Sequence, residues 1–227
     1  LYLCSPGNPT GAVMSPEQLR QAISLAQEHD FVIASDECYS EIWMDRPPTG
    51  LLQAAHQMGL ENYNNCVVFH SLSKRSNLPG LRSGFVAGDA NILKQFLLYR
   101  TYHGCAMSPL VQMASISAWN DEAHVEHNRE LYREKFQTVL PLIGEHFPCP
   151  KPKASFYIWT QTPIDDQEFT RLAFEQQALR IVPGSYLSRD INGHNPGQGY
   201  VRISLVPPLQ DCDTALQRLL ELSTRLG

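Results

Sequence analysis

The sequence is sparing with charge and has none of it in runs. Of 227 residues, 18 are Lys or Arg and 23 are Asp or Glu, for a formal net charge of -5. That balance, with no basic tract, argues against a nucleic-acid or anionic-membrane partner. No apolar stretch approaches the ~20 residues that cross a bilayer, and no signal-peptide pattern opens the chain. The six cysteines, Cys4, Cys38, Cys66, Cys105, Cys149 and Cys212, are widely scattered with no CxxC pair. That excludes a small disulfide framework and the usual zinc spacings, so free thiols in a reducing, cytoplasmic compartment are expected. Internal repeats and low-complexity tracts are absent too. There is also no initiator Met: the chain opens "LYLCSPGNPTG", already inside an apolar run. A hydrophobic strand makes a poor N-terminus, and the expectation is the C-terminal part of a longer protein.

What is present is an ordinary globular composition, 43% hydrophobic, on a chain long enough for a sizeable core. Short apolar runs at Leu1–Cys4, Phe31–Ala34, Cys66–Phe69 and Gly84–Ala87 read as buried strands. Between the first two lies "SPEQLRQAISLAQEHD", a helix with Ser15 as N-cap, Pro16 at its first position and Leu19, Ile23 and Ala26 as its apolar stripe. Strand, helix, strand with buried strands predicts an α/β fold whose mostly parallel sheet is covered by helices. Helices are expected over 90–103 and 109–119, then a long charged one capped by Asp121. After the Pro-rich "PCPKPK" come a strand "ASFYIWT", a helix near 165–177, a Gly- and Asn-rich loop over 184–199, the strand "YVRISLV" and a closing helix from Gln210. The expected division is a large domain over 1–120 and a connecting helix with a smaller α+β domain over 121–227.

Four features fall at strand ends, where open parallel sheets collect their ligands. "SPGNPTG" presents Asn8 on a Pro-braced loop, with Asn8–Pro9 a cis candidate, although turn residues dominate it and a plain turn is the bland reading. "ASDECY" places Asp36 directly behind an apolar strand and Tyr39 three residues on; a carboxylate there either needs a cationic or donor partner or caps the next segment. "FHSLSKRSNLPGLRSGF" sets Ser71, Ser73 and Lys74 behind another strand, with Arg82 eight residues after the lysine. Two hydroxyls and a guanidinium suit a dianion, and an amine crowded by a second cation is held more easily in its neutral, carbonyl-attacking form. The bland alternative is a solvated basic turn with Lys74 and Arg75 outside. Finally, Arg202 in "YVRISL" either snorkels to water or meets a buried anion.

Taken together, Asn8 in NPTG, Asp36-x-x-Tyr39, Ser71-x-Ser73-Lys74 with Arg82, and Arg202 resemble the class I and II aminotransferases of fold type I, which use pyridoxal 5'-phosphate. The runs "SDECYSEIW", "SLSKRSNLPGLRSGFVAGDA", "LYRTYHG" and "SFYIW" resemble the succinyldiaminopimelate aminotransferases of bacterial lysine biosynthesis more closely. The resemblance implies that Lys74 bonds the cofactor aldehyde and later moves the substrate α-proton. It implies that Asp36 keeps the pyridine nitrogen protonated, and that Tyr39 and Asn8 hydrogen-bond the ring oxygen. Ser71, Ser73 and Arg82 would hold the phosphate, and Arg202 would clamp the substrate carboxylate. It also implies amino-group transfer between glutamate and a keto acid, most closely N-succinyl-2-amino-6-ketopimelate, and a homodimer when full length. The aromatic ring and the Gly/Ser/Ala loop that family members contribute from an N-terminal portion are not in these 227 residues. Another reaction on the same scaffold, such as a C–S β-lyase or a different amino-acid aminotransferase, stays open, as does a non-catalytic domain. His124 and His127 lack a third metal ligand in the sequence and read as a solvated face. Trp43, Trp119 and Trp159 read as packing residues, and Cys38 as a small buried one.

Overall fold

A computed structural model of the chain describes residues 1–104 and 106–226. These form two compact units: Leu1–Gly7, Ala12–Arg129 and Lys153–Ser155 make the first, and Asn8–Gly11, Glu130–Pro152 and Phe156–Gly227 the second. Among the described residues no helix is long and apolar enough to cross a membrane.

The first unit is built on a four-stranded sheet, β1 (Tyr2–Cys4), β2 (Ile33–Asp36), β3 (Cys66–Ser71) and β4 (Gly84–Gly88), in that spatial order. Helix α1 (Pro16–His29) connects β1 to β2. It opens on the expected Ser15 cap, reciprocated by Gln18 in a capping box, and ends at Asp30 in the left-handed region. Helix α2 (Leu51–Gln57), which no sequence signal announced, precedes β3. Leu19, Ile23 and Ala26 of α1, Leu51, Ala54 and Ala55 of α2, Ile33 of β2 and Cys66 and Val68 of β3 close into one core. Each fully buried Leu or Ile there contributes about 1.5–3 kcal/mol before its ordering entropy is subtracted.

Strands β1, β2 and β3 run parallel, as the alternating pattern predicts, but β4 is antiparallel to β3. The intervening chain forms only α3 (Leu72–Arg75) and a 3-10 turn at Pro79–Leu81. A parallel return needs a crossover of a dozen or more residues, usually a full helix, and this connection has none to offer. At Gly88, in the left-handed region with φ 137°, a Cβ would stand 2.0 Å from the Cys66 carbonyl oxygen, so the close approach of β4 to β3 requires glycine. Helices α4 (Ala90–Tyr102) and α5 (Pro109–Trp119) follow, and α6 (Ala123–Gly144) runs from the first unit into the second.

The second unit holds an antiparallel sheet of β5 (Tyr157–Gln161), β6 (Val182–Pro183) and β7 (Tyr200–Ser204) in the order β5-β7-β6, with α7 (Asp166–Gln177) and α8 (Leu209–Leu226). Phe136 and Ile143 of α6, Ile158 of β5, Phe169 of α7 and Leu222 of α8 are fully buried. Its loop over 184–199 is tied down by Asp166, whose oxygens accept the N–H groups of Ser185 at 2.8 Å and Gly199 at 3.2 Å. Burial alone would raise the Asp166 carboxyl, but these hydrogen bonds outweigh it and hold it below the usual carboxylate range.

Candidate active site

In the first unit the candidate groups stand at the ends of β2 and β3. β2 continues through Asp36, two residues beyond the expected end, because Asp36 pairs in register with both Cys4 and Phe69. Its carboxylate is therefore carried by strand backbone. Oδ1 accepts the Cys38 N–H at 3.1 Å and Oδ2 accepts the Tyr2 hydroxyl at 2.9 Å. The alternative in which Asp36 caps a helix starting at Glu37 is half met: the carboxylate does accept a nearby N–H, but a turn follows. Burial first, and the Asp36 hydrogen bond second, push the Cys38 thiol up to about 12, so it is not a ready nucleophile.

β3 runs directly into the short helix that carries Lys74. Ser71 is its N-cap and accepts the Ser73 N–H at 3.0 Å. The Ser71 and Ser73 hydroxyls are 2.8 Å apart, and Ser71 Oγ also donates to the Ser83 carbonyl at 3.2 Å. Lys74 Nζ lies 5.8 Å from the centroid of the Tyr39 ring, which brings the amine and the phenol of the two separate motifs into one neighbourhood. Asn128 donates to the Lys74 carbonyl at 3.4 Å. The solvated-turn alternative does not hold for Arg75. That residue is 6% exposed, its guanidinium packs 4.9 Å from the Trp119 ring, it donates to the Ala118 carbonyl at 2.8 Å, and it pairs with Glu122. The next residue after Lys74 is thus an anchor between α3 and the end of α5. Arg82 takes a left-handed backbone, φ 52°, and donates to the Pro79 carbonyl at 2.9 Å. Its neighbour Ser83 is the residue whose carbonyl accepts from Ser71.

In the second unit, Arg202 of β7 donates through Nη1 to Asn8 Oδ1 at 2.8 Å, and its guanidinium packs 4.4 Å from the Tyr157 ring. The Asn8–Pro9 bond is cis, as anticipated, and so is Ser5–Pro6. Arg202 Nε is buried and has no hydrogen-bond partner among the described residues. A buried N–H left unused is costly unless an acceptor arrives, and a carboxylate is an acceptor that suits a guanidinium.

Three residues in this region escaped the sequence reading. Tyr2 reaches Asp36 diagonally across a parallel pair, a contact that depends on strand register and leaves no local motif. Glu37 is buried, accepts from Ser35 Oγ at 3.1 Å and from the Leu51 N–H at 2.7 Å, and lies 3.3 Å from His70 Nε2. It alternates with Asp36 along the chain, so it serves the opposite, core-facing side of β2 and the start of α2. Arg75 is the third; its sequence signal was Trp119 and Glu122, more than 40 residues away. A hollow of about 560 Å³ between β4 and α4, lined by Phe69, Phe85, Leu93, Phe96 and Arg100 among others, is a separate feature and contains none of the candidate residues.

Among the described residues, Trp43 packs under Arg129 and Trp159 stacks on Tyr200. His124 pairs with Asp121, which also accepts the Ala123 N–H at the start of α6. Five cysteines are free thiols; Cys105 lies outside the described residues.

The donor set suits an aldehyde-bearing aromatic phosphate. One amine stands behind a hydroxyl pair. One strand-borne carboxylate accepts from the Cys38 N–H and the Tyr2 hydroxyl, and an ionised carboxylate offers about four lone-pair sites. Comparison with known proteins agrees with this chemistry. The family model described as aminotransferase class I and II matches residues 1–219. The LL-diaminopimelate aminotransferase of Desulforudis audaxviator is 32% identical over 227 residues, covering 96% of this chain and 54% of that protein. A crystal structure of an aminotransferase from Neisseria meningitidis superposes with TM-score 0.92 at 51% identity, covering 97% of this chain and 56% of that one. The probable N-succinyldiaminopimelate aminotransferase of Thermus thermophilus gives 0.85 at 26% identity, covering 98% and 58%. The chain thus spans a little over half the length of these relatives.

Proposed function

This chain belongs to the aminotransferase class I and II family, whose members have fold type I and depend on pyridoxal phosphate, and from that premise we propose that it serves amino-group transfer between glutamate and a keto acid. We take N-succinyl-2-amino-6-ketopimelate as the keto acid. The observation that supports the chemistry most is Lys74, carried by a strand-end helix behind the Ser71–Ser73 pair and beside Tyr39, with Asp36 on the neighbouring strand. The substrate reading rests on the long runs of similarity to succinyldiaminopimelate aminotransferases and on the Thermus thermophilus neighbour.

Pyridoxal phosphate, when bound, supplies a carbonyl that takes up the amino group and a ring that accepts electron density. The residues of this chain do the rest. The Lys74 amine would hold the aldehyde carbon and move a proton at the substrate α-carbon. Asp36 would keep a proton on the pyridine nitrogen. The Tyr39 phenol and the Asn8 amide would donate to the ring oxygen. Ser71, Ser73 and Arg82 would hold the phosphate, and the Arg202 guanidinium would take the substrate α-carboxylate, fixing which bond is set for cleavage. Cytoplasmic location and homodimer formation belong to the same reading.

Several relatives are LL-diaminopimelate aminotransferases, which favours a second reading in which the substrate is not succinylated. Incubating the enzyme with 2-oxoglutarate and either succinyl-diaminopimelate or free diaminopimelate separates the two. Glutamate released from the succinylated donor is the expected result; release only from the free one moves the assignment to the second reading. If neither yields glutamate and cystathionine instead gives pyruvate and ammonia, the activity is a lyase.

A further inference from the structure

Asp36 is held at both carboxylate oxygens, and one of those contacts comes from an unexpected residue. The terminal torsion of an aspartate is broad, so its rotamer alone does not fix the plane of the carboxylate. Here Oδ1 is held by the Cys38 N–H at 3.1 Å and Oδ2 by the Tyr2 hydroxyl at 2.9 Å. The parallel register sets this up: Tyr2 pairs with Ala34 and Cys4 with Asp36, so Tyr2 and Asp36 lie on one face and a long side chain spans the diagonal.

We propose that Tyr2 is a positioning residue for the cofactor, acting through its hydroxyl on Asp36 so that the carboxylate meets the pyridine nitrogen in a fixed plane. The proposal rests on the site reading above. Desolvation of the hydroxyl, although the residue as a whole is 67% exposed, and then its hydrogen bond to Asp36 push the phenol up to about 12. Tyr2 therefore stays a donor throughout the working pH range. The titratable groups acting on the pair are Cys4 on β1 and Cys38 after β2, with Lys74 on α3 acting on Cys38.

A looser Asp36 leaves the pyridine nitrogen less often protonated. That proton puts a positive charge on the same ring system as the nitrogen linking the cofactor to Lys74, and like charges disfavour a second proton. Weakening the Asp36 contact must therefore raise the pH midpoint at which the visible band of the bound cofactor changes. The test loads the enzyme and its Tyr2→Phe and Asp36→Asn variants with pyridoxal phosphate. It measures that midpoint, the dissociation constant of the cofactor, and the lysine labelled after borohydride reduction. Tyr2→Phe should raise the midpoint in the same direction as Asp36→Asn but by less, and weaken cofactor binding by up to about tenfold. Label found on a lysine other than Lys74 overturns the site reading, and this proposal with it. Label on Lys74, with the Tyr2→Phe midpoint and affinity equal to those of the unchanged enzyme, overturns the positioning role alone. A lower melting temperature with an unmoved midpoint does the same, since it marks Tyr2 as a mere tie between β1 and β2.

Discussion

The two units build their polar centres in opposite ways. In the first, Ser71, Ser73 and Lys74 lie within four positions on one strand-to-helix turn, and the hydrogen bonds among them are local. In the second, Arg202 is met by Asn8, 194 positions away in the chain. The local cluster is fixed as soon as β3 and α3 form. The remote pair exists only once the Asn8–Gly11 segment has joined the second unit, and even then one buried Arg202 N–H has no partner among the described residues. A centre made locally can be recognised as a motif. One made by long-range closure presents itself in sequence only as an oddity, an arginine inside an apolar strand.

Substitutions can press on that contrast, from chemistry down to scaffold. With the proposed role of Lys74, Lys74→Ala should lower turnover by about a thousandfold or more, the loss of a general acid–base group. Steady-state kinetics would check this, and retention of ordinary turnover would sink the local centre as the reactive one. Arg202→Lys should act differently, raising the KM for the amino donor by about 10- to 100-fold with a smaller change in kcat, since a point charge replaces a bidentate fork. An effect confined to kcat would show that Arg202 does not bind the ground-state carboxylate.

Each unit also contains a buried aspartate that ties backbone together. Asp89 accepts first from the Asn65 N–H at 2.9 Å and then caps α4 through Asn91, and these hydrogen bonds hold its carboxyl below the usual range. Asp166 is likewise held low. In both, the native pKa lies below the unfolded one, so the stabilisation is complete above about pH 4 and is lost as pH falls through the lowered native values. Asp89→Asn and Asp166→Asn should each flatten the acid limb of stability against pH measured by denaturant unfolding. A limb as steep as before would rule out these carboxylates as its source. The smallest effect expected is that of Ser15→Ala, which removes one side of the α1 capping box and should cost about 1 kcal/mol with no change in cofactor affinity.

Much of the scaffold is legible because it follows from short-range rules. Ser15, Pro16 and Gln18 set the start of α1 through groups no more than three residues apart, and the apolar runs mark the four strands to within about two residues. Helix α2 was not legible. Its cap position is Gly50, which has no side chain to cap with, and its first N–H is satisfied instead by Glu37 from across the unit. Arg75 misled for a similar reason. In sequence it extends a basic turn, yet in the fold it is buried against Trp119, because the end of α5 provides the carbonyl and the ring that make burial tolerable.

Residue order by itself determined the candidate groups: a lysine behind two serines, an aspartate ending a strand, an arginine within another. Composition and periodicity also determined that these would sit on helix-covered strands. Only the tertiary structure decided the antiparallel turn of β4, the meeting of Asn8 with Arg202 and the reach of Tyr2 to Asp36. The reason is that hydrogen bonds across strands depend on register and closure, quantities set by how whole elements pack, whereas caps and turns are settled among neighbours along the chain.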